Sequence, residues 1–437
     1  MKLLFVENRY KTAFWQAIAL ELAKDGHEIH WLVQNHAFAP SLHNVHILPY
    51  FRRQPIQKIY TPSIERVIAA HRGINYFGAT DDHVFYYHTQ IANCLTAVQP
   101  DLVIGECTLV HELLTIELCR ERQILFLHPT SCRYPVGRFA FYAYDGLQAH
   151  GGSGETLSDT AAELMATQIA TGKSKPVYMQ KPQPLTRHEK LQDKLRLIRA
   201  YYGGERFNTP PILRKMQLDR QSAAQVKALD AVAIKDVVAT DDFKVLFPLH
   251  MQPEANVDVW GRPFCDQLAV LKNAADQLRE GEWLYVKPNP KSKYELTADL
   301  LQTVAAHPRI RLVHPTVKMD AIIGRMQLLL TISGTAAMEC ILANQPVVVL
   351  SPQYYQTLGG GAVPLTDWAQ LREYIEKVKN GTFPLLTAPQ KAACLNKWQQ
   401  SSFAGNIGDG LHSRSFMLDT ANMAQIVAAF RQIVAGL

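Results

Sequence analysis

Short, mostly apolar runs alternate along this chain with segments that carry apolar residues every three or four positions. Residues 3–6, 245–249 and 328–332 are runs of the first kind, whereas residues 14–23 carry Phe, Ile, Leu and Ala at helical spacing. Strands covered by helices on both faces are continuously apolar, and a helix that packs on a sheet is apolar on one face only. The alternation therefore predicts parallel sheets with crossover helices, and hence an α/β fold.

The segment 328–350 is the clearest predicted βαβ unit, with strands at 328–332 and 346–350 and a helix at 336–343. Ser333, Gly334 and Thr335 form the turn between the first strand and the helix. Their hydroxyl and backbone N–H groups, together with the positive end of the helix dipole, predict an anion site. Glu339 follows one turn into the helix, where its carboxylate could accept hydrogen bonds from ribose hydroxyls. A plain helix start with a solvated Glu339 is the alternative.

The length of the chain favours two domains, because 437 residues exceed an ordinary single core. We predict an N-terminal Rossmann-like domain at residues 1–235, which includes a helical insert and linker at about residues 150–235. A C-terminal Rossmann-like domain at residues 236–437 would end in helices. No GxGxxG follows the first predicted strand, so dinucleotide binding in the N-terminal half is not expected.

Composition and charge narrow the classes of partner. The net charge of +6 is spread along the chain, with its densest basic cluster at residues 181–199, and this does not resemble a nucleic-acid-binding stripe. The seven cysteines show no CxxC spacing, which favours a reducing compartment. The start of the chain reads as a strand rather than a signal peptide, and no apolar run approaches the roughly 20 residues of a membrane span. A cytoplasmic protein is expected, and peripheral association with the inner membrane is compatible with its charge.

In the second half, polar residues follow three predicted strands. The candidate nucleotide-binding residues are His250, Gln252, Glu254, Lys287, Asn289, Ser333, Gly334, Thr335 and Glu339. A phosphate needs a cation as well as hydroxyl or N–H donors, and Lys287 at a strand end can supply that charge. The alternatives are a surface lysine at 287, a hydrogen-bonded structural histidine at 250 and plain turns elsewhere.

In the first half, Glu106 and His111 are the candidate catalytic residues. A carboxylate at a strand end near helix N-termini suits general-base or nucleophilic chemistry at an anomeric carbon. A helix-start carboxylate stabilised by the helix dipole is the alternative for Glu106. Arg9, Arg133 and Arg138 are candidate sugar- or acceptor-binding residues, since guanidinium groups bind carboxylates and phosphates in a bidentate manner. Surface ion pairs are the alternative for the arginines.

Three segments resemble the bacterial capsular-polysaccharide biosynthesis family that includes the β-Kdo transferases. They are FPLHMQPEA at 247–255, YVKPNP at 285–290, and TISGTAAME at 331–339 followed by NQPV at 344–347. A weaker match covers parts of residues 105–141. The resemblance implies a GT-B glycosyltransferase, in which two Rossmann-like domains face a cleft. The C-terminal domain would hold the nucleotide-sugar and the N-terminal domain the acceptor.

The resemblance also implies a donor and roles for residues. The donor would be a CMP-activated ulosonic sugar, with Lys287 and the turn 333–335 on the phosphate and Glu339 near the ribose. Where the family usually has a histidine before proline, this chain has Asn289, which can bind but cannot carry a proton. The family's Glu-Asp-Gly signature is replaced here by HPTSCR at 128–133, which has no carboxylate. A nonulosonic acid is therefore as plausible as Kdo, with Arg133 or Arg138 on its carboxylate and Glu106 as base or nucleophile.

The expected function is metal-independent transfer of an acidic sugar to a surface-glycan or lipid-linked acceptor, with no cofactor besides the CMP-sugar substrate. One alternative is a UDP-sugar transferase or sugar-nucleotide 2-epimerase, which would need a second cation from Arg325 or Lys318. Another is a non-catalytic nucleotide-binding subunit of a capsule-assembly complex. Membrane association and association with such a complex both stay open for the enzyme, and nucleic acid is not an expected partner.

Overall fold

The computed structural model describes residues 1–177, 186–237, 240–292, 294–408 and 410–437. Residues 181–185 of the predicted basic cluster lie outside the described residues. The strands are β1 Lys2–Val6, β2 Glu28–Val33, β3 Val45–Ile47, β4 Leu102–Ile104, β5 Leu125–Ser131, β6 Arg138–Ala143, β7 Phe243–Pro248, β8 Glu282–Lys287, β9 Ile310–Leu312, β10 Leu328–Thr331, β11 Val347–Val349, β12 Val363–Pro364 and β13 Phe403–Ala404.

Helices account for most of the remaining described residues. The α-helices are α1 Thr12–Lys24, α2 Pro62–Ala70, α3 Arg72–Phe77, α4 Asp82–Val98, α5 Val110–Glu121, α6 Asp159–Ala170, α7 Arg187–Gly203, α8 Ile212–Val232, α9 Ala255–Asp258, α10 Gln267–Asp276, α11 Ala298–Ala306, α12 Met319–Ile323, α13 Ala336–Leu342, α14 Pro352–Thr357, α15 Ala369–Lys379, α16 Ala388–Gln400, α17 Gly410–Leu418 and α18 Thr420–Ala435. Two 3-10 turns, Arg9–Lys11 and His36–Phe38, follow β1 and β2.

The chain divides into two compact units. The first comprises residues 1–155, 175–211 and 398–437, and the second comprises residues 156–174 and 212–397. Within the described residues, the first sheet has the order β13-β6-β5-β4-β1-β2-β3 and the second has the order β12-β11-β10-β7-β8-β9. All pairs of the second sheet are parallel, whereas in the first sheet β6 is antiparallel to both of its neighbours. The predicted α/β class with two parallel sheets is confirmed.

The central strands are apolar because helices cover both faces of each sheet. Residues 3–6 of β1 and 347–349 of β11 are completely buried. In the first unit Phe14, Trp15 and Ile18 of α1 join the core that contains Leu3 and Phe5 of β1. Burial of this kind stabilises by roughly 25 cal/mol per Å² of apolar surface. The continuous apolar runs of the sequence thus correspond to the strands of each sheet, and the apolar residues at helical spacing correspond to the helices that cover it.

The division differs from the predicted boundary at residue 235, because the end of the chain packs in the first unit. Phe430 of α18 stacks against Phe139 and lies edge-on to Phe141 of β6, and it also contacts Trp15 of α1. Strand β13 pairs with β6 through Phe403. The predicted helical insert is also divided, since α7 belongs to the first unit and α6 and α8 belong to the second.

No described helix has both the length and the apolar composition that crossing a bilayer requires.

A buried ion-pair cluster joins β8 to α15 in the second unit. Glu282, whose side chain is 1% exposed, accepts hydrogen bonds from Arg372 and Lys379 of α15 and from the backbone N–H of Arg279. Burial by itself raises the pKa of this carboxyl, but the hydrogen bonds from Arg372 and Lys379 outweigh it and lower the pKa to about 2. The cluster fixes α15 against the start of β8.

We expect Glu282→Gln to lower the free energy of unfolding at pH 7 by about 2 to 4 kcal/mol, because it leaves two cations facing a neutral group. The folded-state pKa lies below the ordinary value of 4.5, so the stabilisation is present above pH 4.5 and is lost as the pH falls towards 2. Urea unfolding between pH 2 and pH 7 measures both effects. Glu280→Gln, at an exposed position beside it, is the control. Equal stability of the two variants at pH 7 would contradict the assignment.

Candidate functional site

The predicted nucleotide-binding residues follow three strands that are neighbours in the second sheet. Strands β10, β7 and β8 pair in that order and run parallel, so the loops after them lie at one edge. His250 follows β7, Lys287 ends β8 and Ser333 follows β10. Ligands of open parallel sheets bind beyond this edge. The structure therefore brings together three loops that are far apart in the sequence.

Lys287 is a buried cation without a carboxylate partner among the described residues. Its side chain is enclosed, with the residue 4% exposed, and its Nζ donates to the carbonyl oxygens of Pro288 at 3.2 Å and Pro315 at 3.0 Å. Burial lowers its pKa to about 8. An ammonium group has three hydrogens, and these two bonds leave one. A buried positive charge compensated only by carbonyl dipoles favours an anion as its missing partner.

The turn 333–335 is closed by contacts within the unit. The Ser333 hydroxyl donates to the carbonyl oxygen of Asn256 at 2.7 Å, and the backbone N–H of Gly334 donates to Thr331 Oγ1 at 3.1 Å. A Cβ at position 334 would lie 2.7 Å from Thr331 Oγ1, so this close approach requires glycine. Helix α13 after the turn has only seven residues. This geometry favours a structural role for Ser333 and Gly334 over the predicted donation to phosphate.

His250 lies between the first and third loops. Its Nε2 is 3.3 Å from Thr331 Oγ1, the same hydroxyl that accepts from Gly334, and its side chain is nearly buried. Thr331 Oγ1 accepts the hydrogen of the Gly334 N–H group. The hydroxyl hydrogen of Thr331 can therefore be donated to His250 Nε2 when that nitrogen carries no proton. His250 thus connects the loop after β7 to the end of β10, and its predicted contact with a nucleotide stays a prediction.

Gln252 stabilises the loop after β7 through side-chain hydrogen bonds. Its Nε2 donates to Asp258 Oδ1 at 2.8 Å and to the carbonyl of Cys265 at 3.0 Å, and its Oε1 accepts from Gln267. Both amide hydrogens are therefore in use. Glu254 in turn accepts from Asn256 Nδ2. These contacts hold the loop in place and favour a positioning role over direct nucleotide contact for Gln252.

The remaining predicted nucleotide contacts are less enclosed. Asn289 is half-buried, and its Oδ1 accepts from the backbone N–H of Lys291, which is an Asx-type turn. Thr335 and Glu339 are half-buried at the start of α13. Their predicted contacts with phosphate and ribose stay predictions.

In the first unit, Glu106 lies beyond β4 and pairs with Lys11. Lys11 Nζ is 2.5 Å from Glu106 Oε1, and the side chains are 9% and 14% exposed. Burial raises the pKa of Glu106; the charge of Lys11 opposes this shift and that of Glu112 adds to it. A carboxyl whose pKa is raised, beside an ammonium group that can share its proton, has the properties of a general acid or base.

His111 is completely buried and holds the loop after β1. Its Nε2 donates to the backbone carbonyl of Glu7 at 2.7 Å, and the Glu7 carboxylate accepts the backbone N–H groups of Arg9 and Asn35. Among the described residues, His111 Nδ1 has no hydrogen-bond partner. With no exposed surface, His111 favours a structural role over the predicted catalytic one.

Glu112, also completely buried, organises the loop that carries Glu106. Its carboxylate accepts from the backbone N–H groups of Thr108 and Leu109 and, at 2.6 Å, from Asn8 Nδ2. Asn8 follows β1 and Thr108 follows β4, so one carboxylate connects both strand ends. This connection fixes the position of Glu106 relative to Lys11.

Unpaired amides lie beside Arg9 in the same unit. Among the described residues, Asn35 Nδ2 and both side-chain polar atoms of Asn208 are buried without a hydrogen-bond partner. Arg9 donates to Thr209 Oγ1 at 2.8 Å and lies 3.6 Å from Glu205. Buried amides without partners are rare and indicate a missing hydrogen-bonding group. A polyhydroxyl ligand would supply such groups.

Arg138 is committed to the fold. Its guanidinium donates to Ser402 Oγ at 2.8 Å, the Ser402 carbonyl at 2.7 Å and Ser153 Oγ at 2.9 Å, and it pairs with Glu155. It fastens the segment around residue 402 to β6, which favours a structural role over the predicted sugar contact. Arg133 is half-buried in the loop before β6, and its predicted role stays a prediction.

Several residues that organise the site were not among the predicted ones. A signal for them exists in the sequence. Gln267 and Glu112 each lie on an otherwise apolar helix face. Glu7 comes directly after one buried strand, and Asn35 comes two residues after another. A polar residue at a position where the pattern requires an apolar one is expected to be buried. Because buried polar groups are hydrogen-bonded, such a residue is also expected to have a hydrogen-bond partner. Asn208 has no such signal, because it lies in an irregular segment.

Among the residues that the structure describes, no three His, Cys, Asp or Glu side chains are grouped so that they could hold a metal ion.

Comparison with solved structures gives matches of low identity. The Thermosulfurimonas dismutans KpsC beta Kdo 2,7 transferase is 8% identical over 97% of this chain and 100% of that chain, with a TM-score of 0.39. The beta Kdo 2,4 transferase of the same KpsC is 11% identical over 73% and 87%, with a TM-score of 0.39. The UDP-GlcNAc 2-epimerase of Methanocaldococcus jannaschii, in complex with UDP-GlcNAc and UDP, is 13% identical over 90% and 98%, with a TM-score of 0.30. Structural similarity at these sequence identities and TM-scores assigns no activity to this chain. No protein family and no curated protein sequence matches it.

We expect Lys287→Met to leave the free energy of unfolding at pH 7 unchanged or to raise it by about 1 kcal/mol, because the variant removes a buried charge. In the wild type the buried ammonium is destabilising below pH 8, and stability should rise as the pH increases from about 8 towards 10.5. This rise should be smaller in the variant. Urea unfolding at several pH values measures it, with the exposed neighbour Lys291→Met as control. A loss of more than about 2 kcal/mol would show that the fold itself needs Lys287.

Proposed function

We propose that this protein is a glycosyltransferase that moves an acidic ulosonic or nonulosonic sugar from a CMP donor to a glycan acceptor. One observation carries the proposal. The three segments that resemble the capsular-polysaccharide family form neighbouring loops at the carboxyl edge of the second sheet, and a buried lysine without a carboxylate partner lies among them. Residues that match a family motif and also meet in space are better candidates than residues that match in sequence alone.

Lys287 is the proposed phosphate-binding residue. A CMP-sugar has a single phosphate, and one ammonium group with a remaining hydrogen is suited to it. A diphosphate donor would need a second cation. Arg325, the nearest arginine in sequence to the turn, donates to Asp236 and to the carbonyl of Val237, so its charge is already compensated. This pairing makes Arg325 a less suitable second cation, so Lys318, which is exposed, is the other candidate for a diphosphate donor.

Glu106 is the proposed base or nucleophile. Its raised pKa and its contact with Lys11 suit the Glu106 carboxyl to accept or release a proton during the reaction. As a base it would take the proton of the acceptor hydroxyl. As a nucleophile it would bond to the anomeric carbon and displace CMP, and the acceptor hydroxyl would then lose its proton and displace the Glu106 carboxylate. Glu112 and Asn8 act as positioning residues for this pair.

The first unit is proposed to bind the acceptor. The Nδ2 atom of Asn35 and both side-chain polar atoms of Asn208 lack partners among the described residues, and Arg9 supplies a positive charge in the same unit. Sugars present many hydroxyl groups, each of which donates and accepts, so they satisfy amides well. The proposed acceptor is a capsule, O-antigen or other surface glycan, free or linked to lipid. The proposal includes neither a metal nor a further cofactor.

We expect CMP to stabilise the protein more than CDP, UDP or GDP at equal concentration, by roughly 2.7 kcal/mol at a hundredfold excess over its dissociation constant. Thermal unfolding with each nucleotide measures the effect. Lys287→Met should lose the stabilisation while Lys291→Met keeps it. Preference for UDP or GDP would favour a diphosphate donor, including a 2-epimerase, and no response to any nucleotide would contradict a nucleotide site.

We expect Glu106→Gln to reduce the turnover of CMP-Kdo or a CMP-nonulosonate by at least about a hundredfold while CMP affinity stays unchanged. Glutamine keeps the size of the side chain and removes its proton chemistry. Product formation is measured by chromatography, and CMP affinity by thermal shift. The control is Glu65→Gln, an exposed position on α2. If Glu106→Gln kept the turnover of the wild type, the catalytic residue would have to be another one. If the protein is a non-catalytic subunit, neither the wild type nor Glu106→Gln would turn over the donor.

A further inference from the structure

Helix α7 exposes an apolar stripe. Leu191, Leu195, Ile198 and Tyr202 are 55%, 56%, 45% and 68% exposed. At about 100° per residue, these four positions fall within roughly 60° of one another on the helix. Isolated exposed leucines are common on protein surfaces, but an aligned stripe over three turns is a mark of an interaction surface.

Basic residues lie on both sides of this stripe. Arg187, Lys190 and Lys194 flank one side and Arg199 flanks the other, and all four are exposed. Among the described residues, none of these four has a carboxylate partner. Their charges are therefore available to an anionic partner.

The acidic residues of α7 face the opposite direction. Glu189 pairs with Arg414 of α17. Asp193 lies near Tyr10: burial raises the pKa of that phenol, and the charge of Asp193 raises it further. The guanidinium of Arg196 lies 5.5 Å from the ring centre of Phe38. The side of α7 with the carboxylates thus packs on the first unit. The outward side carries apolar and basic residues together with the exposed pair His188 and Gln192, and it has no carboxylate.

We propose that the outward face of α7 docks this protein on an anionic lipid surface. A helix that lies in a membrane interface has an apolar stripe, flanking Lys and Arg residues, and aromatic residues such as Tyr at the headgroup level. The outward face of α7 combines these features, and its charge is complementary to anionic headgroups. A second copy of this chain fits less well, because stacking two such faces would oppose like charges. The inference does not depend on the identity of the sugar donor.

The test is co-sedimentation of the full-length protein with phosphatidylcholine vesicles that contain either no phosphatidylglycerol or roughly one third of it. We expect binding to the anionic vesicles only, decreasing with added salt. Leu191→Gln combined with Leu195→Gln, and Lys190→Gln combined with Lys194→Gln, should each reduce partitioning by roughly tenfold or more. Leu20→Gln and Lys272→Gln, which change exposed residues of α1 and α10, should bind as the wild type does.

Thermal unfolding confirms that the variants fold, and light scattering gives their oligomeric state. Unchanged binding in both double variants, equal binding to neutral vesicles, or no binding to anionic vesicles would each overturn the proposal. A dimer that the Leu191/Leu195 variant dissociates would identify a second copy as the occupant instead. The thermal response to nucleotides depends on Lys287 in the second unit, whereas α7 belongs to the first unit. A negative result with vesicles is therefore distinguishable from a wrong assignment of the sugar donor.

Discussion

The burial of both faces of each sheet is the constraint on which the rest of this structure depends. Because helices cover the faces, side chains along the central strands must be apolar, and polar chemistry is confined to the strand ends. In parallel sheets these ends meet at one edge, so loops distant in sequence become neighbours. The positions of Lys287 in the second unit and of Glu106 in the first follow from this constraint.

Buried carboxylates then determine the shape of these loops. Glu7 and Glu112 in the first unit use their oxygens to accept backbone N–H groups that secondary structure leaves unpaired. In the second unit Asp258 has a similar role and accepts from Gln252 and from the backbone of Glu254. A charged acceptor of several N–H groups is stabilised when buried, and removing it would leave those groups unsatisfied. Much of the polar character of the loops therefore holds the site in position, and only part of it is available to a ligand.

Lys287 and Asn208 are two of the groups that lack the partner that their chemistry requires. Lys287 is a buried cation with carbonyl partners only, and Asn208 is a buried amide whose polar atoms have no partner among the described residues. Natural proteins retain such unfavourable features mainly at functional sites. These two residues, rather than the well-bonded Gln252 and Arg138, therefore mark where ligands are best sought.

The sequence by itself determined the α/β class, the central strands to within a residue or two, and the strand-end loops that contain Lys287 and Glu106. It did so because the period of apolar residues reports which faces are covered, and this is a local property. Only the tertiary structure decided that residues 398–437 pack in the first unit, since the aromatic contacts of Phe430 join segments far apart in the chain. It also decided which polar groups are already paired, as at Ser333, His111 and Arg138. A hydroxyl, imidazole or guanidinium looks the same in a sequence whether its partner is a ligand or the backbone of a distant loop.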